Sequence, residues 1–193
     1  MARMTAVMEQ PQRYVISADE YLRMGEAGVF RPEARLELIE GEIVEMAPIG
    51  SSHASVVRRL NRLFHRRVGE RALVSVQSPV RVGEHSVPEP DIALLRPRPD
   101  EYAASHPASG DVLLLVEVSD TTLQFDLSKK VSLYAGAGIA EVWVIDVAQR
   151  AVHVFRVPDP GGYRSTFVAS VAQRLGPDAL PDISFAVSEL FPA

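Results

Sequence analysis

The spacing of hydrophobic residues divides the chain into segments of two kinds. Residues 112–118 form an apolar run without alternation, interrupted only by Glu117, and this predicts a strand covered on both faces. Residues 53–69 carry apolar side chains at three- and four-residue spacing, which predicts an amphipathic helix with one side in the core. A second inward stripe, over about residues 126–137, predicts another helix that ends at Gly136 or Gly138.

Shorter patterns complete the predicted fold. Ser17 and Glu20 have the spacing of a capping box at the start of a helix. Residues 35–46 predict a hairpin that turns at Glu40 and Gly41, with Glu37 as a solvent-facing strand residue. Further strands are predicted over residues 72–82, 87–95, 141–147, 151–157 and 163–169. This order of elements predicts an α/β fold with a mixed central sheet flanked by helices and additional hairpins.

Composition limits the classes of protein that fit this pattern. The 193 residues are 47% hydrophobic, which suits a single domain over residues 1–193 with a flexible N-terminal tail at 1–13. The sequence has no cysteine, which excludes disulfides and cysteine-ligated zinc and agrees with a cytoplasmic location. No apolar run approaches the ~20 residues that span a bilayer, so we expect no membrane association.

Charge is distributed unevenly along this acidic chain. The net charge of −5 excludes a dominant basic surface, so binding to nucleic acid would need a local patch. The helix predicted over residues 53–69 offers one, since its polar faces carry Arg58, Arg59, Arg62 and Arg66. These arginines are candidate phosphate contacts, and the alternative is an ordinary solvated helix surface.

Two carboxylates and one lysine are the candidate catalytic residues. Glu117 lies in an apolar strand, where a charge is costly unless a metal ion or another cation faces it. Asp91 immediately precedes Ile-Ala-Leu-Leu, and if its strand pairs with that of Glu117 the two carboxylates can share Mg²⁺ or Mn²⁺. Lys130 borders the inward stripe of the following helix, whereas Lys129 points nearly opposite it, toward solvent. The alternatives are that Asp91 is an ordinary turn residue and that Lys130 is a lysine at the rim of the core.

Several motifs in order resemble the Uma2 (DUF820) family. They are LELIEGEIVEM at 36–46, PEPDIALL at 88–95, Glu117-Val118-Ser119, Asp126-Leu127-Ser128-Lys129-Lys130, and LYAGAGIAEVWVIDV at 133–147. That family belongs to the PD-(D/E)xK nuclease superfamily, so the resemblance implies a restriction-endonuclease-like fold.

The resemblance also assigns roles to individual residues. It implies that Asp91 and Glu117 are metal ligands, together with the backbone carbonyl of Val118. In the superfamily the lysine usually lies two residues after the glutamate, but that position is Ser119 here. The matching lysine is Lys130, from the next helix. Glu37 and Gln77 correspond to supporting positions at the edge of the site, although Gln77 alone would be taken for an exposed strand residue.

The resemblance implies a Mg²⁺-dependent endodeoxyribonuclease, with Mn²⁺ as a substitute, acting on DNA as a homodimer or higher homo-oligomer. One rival interpretation is a non-catalytic nucleic-acid-binding or assembly module on the same fold, which the displaced lysine and the net acidity favour. Another is a metal-dependent hydrolase of a smaller phosphoester.

Overall fold

The computed structural model describes residues 12–192. A six-stranded mixed β-sheet forms the centre of the fold. Its strands run in the order β3-β4-β5-β6-β7-β8. Their bounds are β3 Leu73–Val76, β4 Ile92–Leu95, β5 Val112–Ser119, β6 Glu141–Asp146, β7 Ala151–Asp159 and β8 Gly162–Ala169. The predicted α/β fold with a mixed sheet is confirmed. Most of the predicted tail, residues 1–11, lies outside the described residues.

Only one pair of neighbouring strands in this sheet is parallel. Strand β5 pairs parallel with β6, and the other neighbours are antiparallel. A parallel pair needs a long crossover. Here the crossover contains a helical segment formed by α3 (Leu123–Phe125), a π-helical turn (Asp126–Lys130) and α4 (Val131–Gly136). This segment therefore lies against the sheet beside the end of β5.

Helices cover both faces of the sheet, as the apolar run in β5 predicts. Helix α2 (Ser51–Val68) packs its stripe, including Leu60 and Phe64, against one face, where Trp143 is fully buried. Short C-terminal elements complete this layer: β9 (Arg174–Leu175), β10 (Phe185–Ala186) and a 3₁₀ turn (Val187–Leu190). The crossover helices cover the other face through Val131 and Tyr134. No helix within residues 12–192 has the length and hydrophobicity needed to cross a bilayer.

An N-terminal unit packs beside the main sheet. Helix α1 (Ala18–Glu26) starts at Ser17 with the predicted capping box to Glu20. The predicted hairpin follows as β1 (Leu36–Ile39) and β2 (Glu42–Glu45). Leu38 bridges to Val87 through backbone hydrogen bonds, which fixes the hairpin next to the segment that leads into β4.

The predicted strands over residues 72–82 and 87–95 are longer than those observed. Strand β3 stops at Val76 because Gln77 has a φ of +45°, a left-handed conformation that interrupts the alternation of side chains. Val74 and Val76 consequently contact the α2 side of the sheet, whereas Val80 belongs to the core on the opposite side. A regular strand over residues 72–82 would place Val74, Val76 and Val80 on one face, so the predicted strand does not continue past Val76.

The helical segment after β5 differs from the regular α-helix that its periodicity predicts. The amide of Val131 donates to the carbonyl of Asp126, five residues earlier, which is the hydrogen bond of a π turn. Lys130 is buried, as its position beside the inward stripe predicts. Lys129 is exposed, as predicted, and forms an ion pair with Glu40 of the hairpin at the surface.

Candidate active site

Asp91 and Glu117 lie on the same face of two neighbouring strands. Ile92 pairs with Val116 in the antiparallel β4–β5 ladder, which brings the residue before Ile92 beside the residue after Val116. Side chains alternate along each strand, and Ile92 and Val116 both face α2. Asp91 and Glu117 therefore both face the crossover helices. The pairing of these two strands, on which a shared metal ion depends, is thus present.

Both carboxylates line a cavity of ≈ 160 Å³ between the hairpin, the start of α2 and the crossover segment. Six acidic side chains line it: Glu37, Glu89, Asp91, Glu117, Asp120 and Asp126. Only three basic side chains accompany them, namely Arg35, His53 and Lys130. An excess of carboxylates in a partly enclosed space favours the binding of a cation.

Glu117 is 3% exposed and is held through one of its two oxygens. Oε1 accepts hydrogen bonds from the hydroxyl of Tyr134 (2.5 Å) and from Nζ of Lys130 (3.2 Å). Burial, reinforced by the nearby charges of Asp126 and Asp91, raises the pKa of Glu117 to about 8 against the opposing effect of Lys130. The site thus holds a carboxyl group that ionises readily only when a further cation is near.

Lys130 bridges two carboxylates inside the protein. Its Nζ donates to Oε1 of Glu37 at 3.0 Å as well as to Glu117, and its side chain is 2% exposed. Burial opposes its charge, but the carboxylates of Glu117 and Glu37 outweigh burial and raise the pKa of the Lys130 ammonium group. Lys130 therefore remains a cation at neutral pH.

Glu37 is buried, so its interpretation as a solvent-facing strand residue is wrong. It is 2% exposed and lies across the cavity wall from Lys130. Burial raises the pKa of the Glu37 carboxyl although Lys130 lowers it. Nζ of Lys130 lies 3.0 Å from Oε2 as well as from Oε1, so both oxygens of Glu37 face the ammonium group.

Asp91 is oriented by three donors. Its Oδ2 accepts from the backbone amide of Val118 (2.9 Å) and from Nε2 of His53 (2.9 Å). Its Oδ1 accepts from the side-chain amide of Gln77 (3.1 Å). Gln77 is half-buried rather than an ordinary exposed strand residue, because its left-handed backbone turns it toward the site.

Ser119 occupies the position where the superfamily usually has its lysine, and it has a different partner. Its hydroxyl donates to Oδ2 of Asp126 (2.7 Å), which also accepts from Thr122 (2.6 Å). Asp126 is 3% exposed and lines the cavity. These hydrogen bonds attach the π turn to the end of β5. The π turn contains Lys130 and therefore positions it.

The basic residues of α2 separate into two groups. Arg58, Arg62 and Arg66 recur every four residues, are exposed, and form no ion pair within the described part of the chain. Arg59 is half-buried and donates to the carbonyl of Glu189, so it ties α2 to the C-terminal 3₁₀ turn. Arg67 likewise reaches the carbonyl of Ser184 (3.2 Å) and the carboxylate of Glu189 (3.6 Å).

The donor set fits a hard divalent cation that keeps part of its water shell. A carboxylate oxygen can accept about two bonds. Oδ1 of Asp91 accepts one, and Oε2 of Glu117 accepts none within residues 12–192. No group of three or more acidic, histidine or cysteine side chains in that range is arranged to enclose a metal. Two carboxylates supplemented by water are the usual ligands of Mg²⁺.

Sequence reasoning missed the roles of His53 and Tyr134. His53 looked like a helix-start residue, and Tyr134 like one member of the core stripe. Their partners, Asp91 and Glu117, lie 38 and 17 residues away along the chain, so no local pattern connects them. The available signal was that each carries a polar group beside a predicted apolar face.

Comparisons with known proteins identify the fold and the family. A crystal structure of a "putative nuclease belonging to DUF820" from Anabaena variabilis superposes with a TM-score of 0.71, at 20% identity, over 91% of this chain and 97% of that one. At this identity the likeness establishes the restriction-endonuclease-like fold. No curated protein matches the chain. The model of the Uma2 family, described as "Putative restriction endonuclease", matches residues 18–188. The chain therefore belongs to the Uma2 family, whose description is that of a nuclease.

Proposed function

We propose that the protein is a metal-dependent endonuclease that hydrolyses DNA phosphodiester bonds. One observation carries the proposal: Asp91, Glu117 and Lys130 line the same cavity, with Nζ of Lys130 3.2 Å from Oε1 of Glu117. Two acceptors for a cation next to one buried ammonium group suit a phosphoryl group, whose charge grows during hydrolysis.

Asp91 and Glu117 are the residues that would hold Mg²⁺, or Mn²⁺ as a substitute, with the backbone carbonyl of Val118 as a further oxygen. When bound, the ion supplies Lewis-acid chemistry toward the phosphoryl group. His53 and Gln77 hold the Asp91 carboxylate in position. Tyr134 holds Oε1 of Glu117, which directs the opposite oxygen to the ligand.

Lys130 acts as a fixed cation. It remains protonated because Glu117 and Glu37 stabilise its charge, so its role is to donate hydrogen bonds and offset negative charge on the phosphate. Glu37 positions Lys130 from the hairpin side at 3.0 Å. A buried ammonium group held between two acidic side chains loses little orientational freedom when the substrate arrives.

The exposed arginines of α2 provide the contact to the DNA backbone. Helix α2 begins at the cavity with Gly50 and His53, and Arg58, Arg62 and Arg66 follow along its exposed side. Phosphate contacts of this kind position the duplex without reading its sequence. We propose that two copies act together, because each chain offers one cavity of this kind among its described residues and a duplex has two strands.

The test is cleavage of supercoiled plasmid in Mg²⁺ or Mn²⁺ by the wild type, Asp91→Asn and Glu117→Gln. The wild type should nick and linearise the plasmid, and both variants should lose activity by about 100-fold or more. Glu141→Gln is a matched control, because Glu141 is also a buried acid but bonds to Trp143 and Arg156 away from the cavity.

A second measurement separates metal binding from activity. Calorimetric titration with Mn²⁺ should show one tight class of site in the wild type and in Glu141→Gln, and a loss of that class in Asp91→Asn. Unchanged cleavage by Asp91→Asn and Glu117→Gln would disprove this active site. Salt-sensitive DNA binding without any cleavage product would instead support a non-catalytic binding module.

A further inference from the structure

A second, more open space, here called the groove, lies directly beside the cavity. It has a volume of ≈ 610 Å³, and five residues line both spaces: Arg35, Met46, Ala47, Pro48 and Ile49. These residues form the wall between cavity and groove. A strand of nucleic acid with its scissile phosphate in the cavity would pass over this wall into the groove.

Arg35, in this wall, is the one of the three basic residues lining the cavity that contacts no carboxylate within residues 12–192. Lys130 and His53, the other basic residues of the cavity, contact Glu117 and Asp91. Arg35 forms no ion pair with any residue from 12 to 192; its NH1 donates to the carbonyl of Ala47 at 2.9 Å. A guanidinium has five N–H donors, so the others remain available.

The backbone around Arg35 holds this guanidinium in a defined place. The amide of Met46 donates to the carbonyl of Arg35 at 2.8 Å, which closes the hairpin at that end. Arg35 also lies two positions before Glu37, and side chains two apart in a strand share a face. The hairpin thus holds the backbone of Arg35, and the bond to Ala47 anchors its guanidinium at the mouth of the acidic cavity.

The rest of the groove is suited to a flat, weakly polar group. Ile49 is 39% exposed and lies beside Pro48 at the edge of the cavity. Of the two acids in the groove, Glu45 is paired with Arg31 at 2.8 Å, and Glu33 is exposed, where solvent screens its charge. A single unpaired cation next to an apolar surface matches the two halves of a nucleotide.

We infer that this groove binds the nucleotide adjacent to the scissile phosphate, with its phosphate on Arg35 and its base against Pro48 and Ile49. The inference rests on the proposed nuclease function and adds a subsite to it. An apolar wall contacts any base, so the subsite should be tolerant of sequence. It serves to place the strand rather than to read it.

Binding of short single-stranded oligonucleotides tests this subsite without cleavage. The parent is Glu117→Gln, and the oligonucleotides are just long enough to fill cavity and groove, so that only one register is available. The readout is fluorescence anisotropy with a neutral methylphosphonate placed at one linkage at a time. In the parent, a methylphosphonate at one particular linkage should raise the Kd, and the other linkages should have little effect. Adding Arg35→Gln should abolish that dependence and lower the slope of log Kd against log salt by about 1.

Arg96→Gln is the matched control, since Arg96 is also an arginine whose guanidinium donates to a loop carbonyl, that of Gly110 at 3.2 Å, outside both spaces. A second arm compares an intact oligonucleotide with one that has an abasic site at the neighbouring nucleotide. Loss of that base should weaken binding by the parent but not by the parent carrying Ile49→Ser; an equal loss in both would disprove the base contact. Val168→Ser, which removes a 54% exposed valine, is the control. If Arg35→Gln does not fold, the Ile49 arm decides alone.

The outcomes separate the subsite from the proposed function. If the parent binds oligonucleotides but Arg35→Gln behaves like Arg96→Gln at every linkage, or if no linkage matters, the subsite is disproved and the nuclease proposal stands. If the parent and the wild type bind no nucleic acid and the wild type cleaves none, the proposed function itself is disproved. A dependence that Arg35→Gln alone removes supports the subsite.

Discussion

Nζ of Lys130 and Oε1 of Glu117 lie 3.2 Å apart in the interior, although the lysine comes from the helical segment after the strand and not from the strand itself. In the usual superfamily motif a strand lysine two residues after the glutamate carries the charge. Here Ser119 occupies that position and fastens the π turn through Asp126. A buried cation therefore faces Glu117, and it comes from the following helical segment.

Replacing Lys130 should affect activity and stability far more than replacing its neighbour. Lys130→Met leaves Glu37 and Glu117 buried without the ammonium group that donates to both, which should destabilise the fold by about 3 kcal/mol and abolish cleavage. Lys129→Met breaks only an exposed ion pair with Glu40, so it should cost less than about 1 kcal/mol. Thermal denaturation and plasmid cleavage of both variants measure this difference. Equal losses would contradict the assignment of Lys130.

The stability of the metal-free protein should depend on pH through Glu117. Its pKa rises from an ordinary value of 4.5 to about 8 in the folded state. Between these values the folded protein holds a proton that the unfolded chain has released, so the free energy of unfolding falls as pH rises. Glu117→Gln cannot ionise, and the melting temperature of this variant minus that of the wild type should increase from pH 5 to pH 9.

The control for this pH effect is the same measurement with a divalent ion. Thermal denaturation in EDTA should show the widening difference, and saturating Mg²⁺ should reverse it above pH 8, because the ion stabilises the ionised carboxylate. A difference between variant and wild type that stays constant across the pH range in EDTA would show that Glu117 titrates normally.

Two tyrosines allow the hydrogen bond to Glu117 to be separated from packing. Tyr134→Phe keeps the buried ring but removes the donor to Oε1, and Tyr163→Phe removes a comparable bond to the carbonyl of Ile139 (2.7 Å) outside the site. Each should destabilise the protein by about 1 kcal/mol. Only Tyr134→Phe should weaken Mn²⁺ binding, by about 10-fold, because only the hydroxyl of Tyr134 positions a proposed ligand, Glu117. Similar Mn²⁺ affinity in both variants would contradict this role.

The exposed arginines of α2 should govern the salt dependence of DNA binding. Replacing Arg58, Arg62 and Arg66 together by glutamine should lower the slope of log Kd against log salt by about 3, one unit for each lost phosphate contact. The fold should persist, since these side chains form no ion pair within residues 12–192. Arg59→Gln instead removes the bond to Glu189 and should reduce stability. An unchanged salt slope in the triple variant would place the DNA elsewhere.

Local periodicity was sufficient to predict most of the fold. The apolar stripe of α2, the hairpin β1–β2 and the covered strand β5 follow from patterns within each segment. The exceptions are single-residue events. The left-handed Gln77 ends β3 early, and a π turn at Asp126–Lys130 interrupts the α-helical geometry of the crossover segment. Neither changes the average hydrophobic pattern, so neither can be read from it.

The candidate site was predictable only where its residues lie on paired strands. Asp91 and Glu117 lie side by side on one face because two consecutive strands of the sheet pair. An apolar pattern can indicate such a pairing. Glu37 was not predictable in this way, because its burial depends on a cation 93 residues away. The partner of Arg59 is 130 residues away, so sequence alone groups it with the exposed arginines.

The wider turn between Asp126 and Lys130 has a bearing on how relatives are aligned. A π turn holds one residue more than an α-helical turn over the same path, so losing that residue would carry Lys129 toward the place of Lys130. Two relatives could then present the same ammonium group to Glu117 from adjacent alignment columns. A motif defined by counting residues from the glutamate would score one of them as lacking its lysine, whereas superposed coordinates would reveal the equivalence.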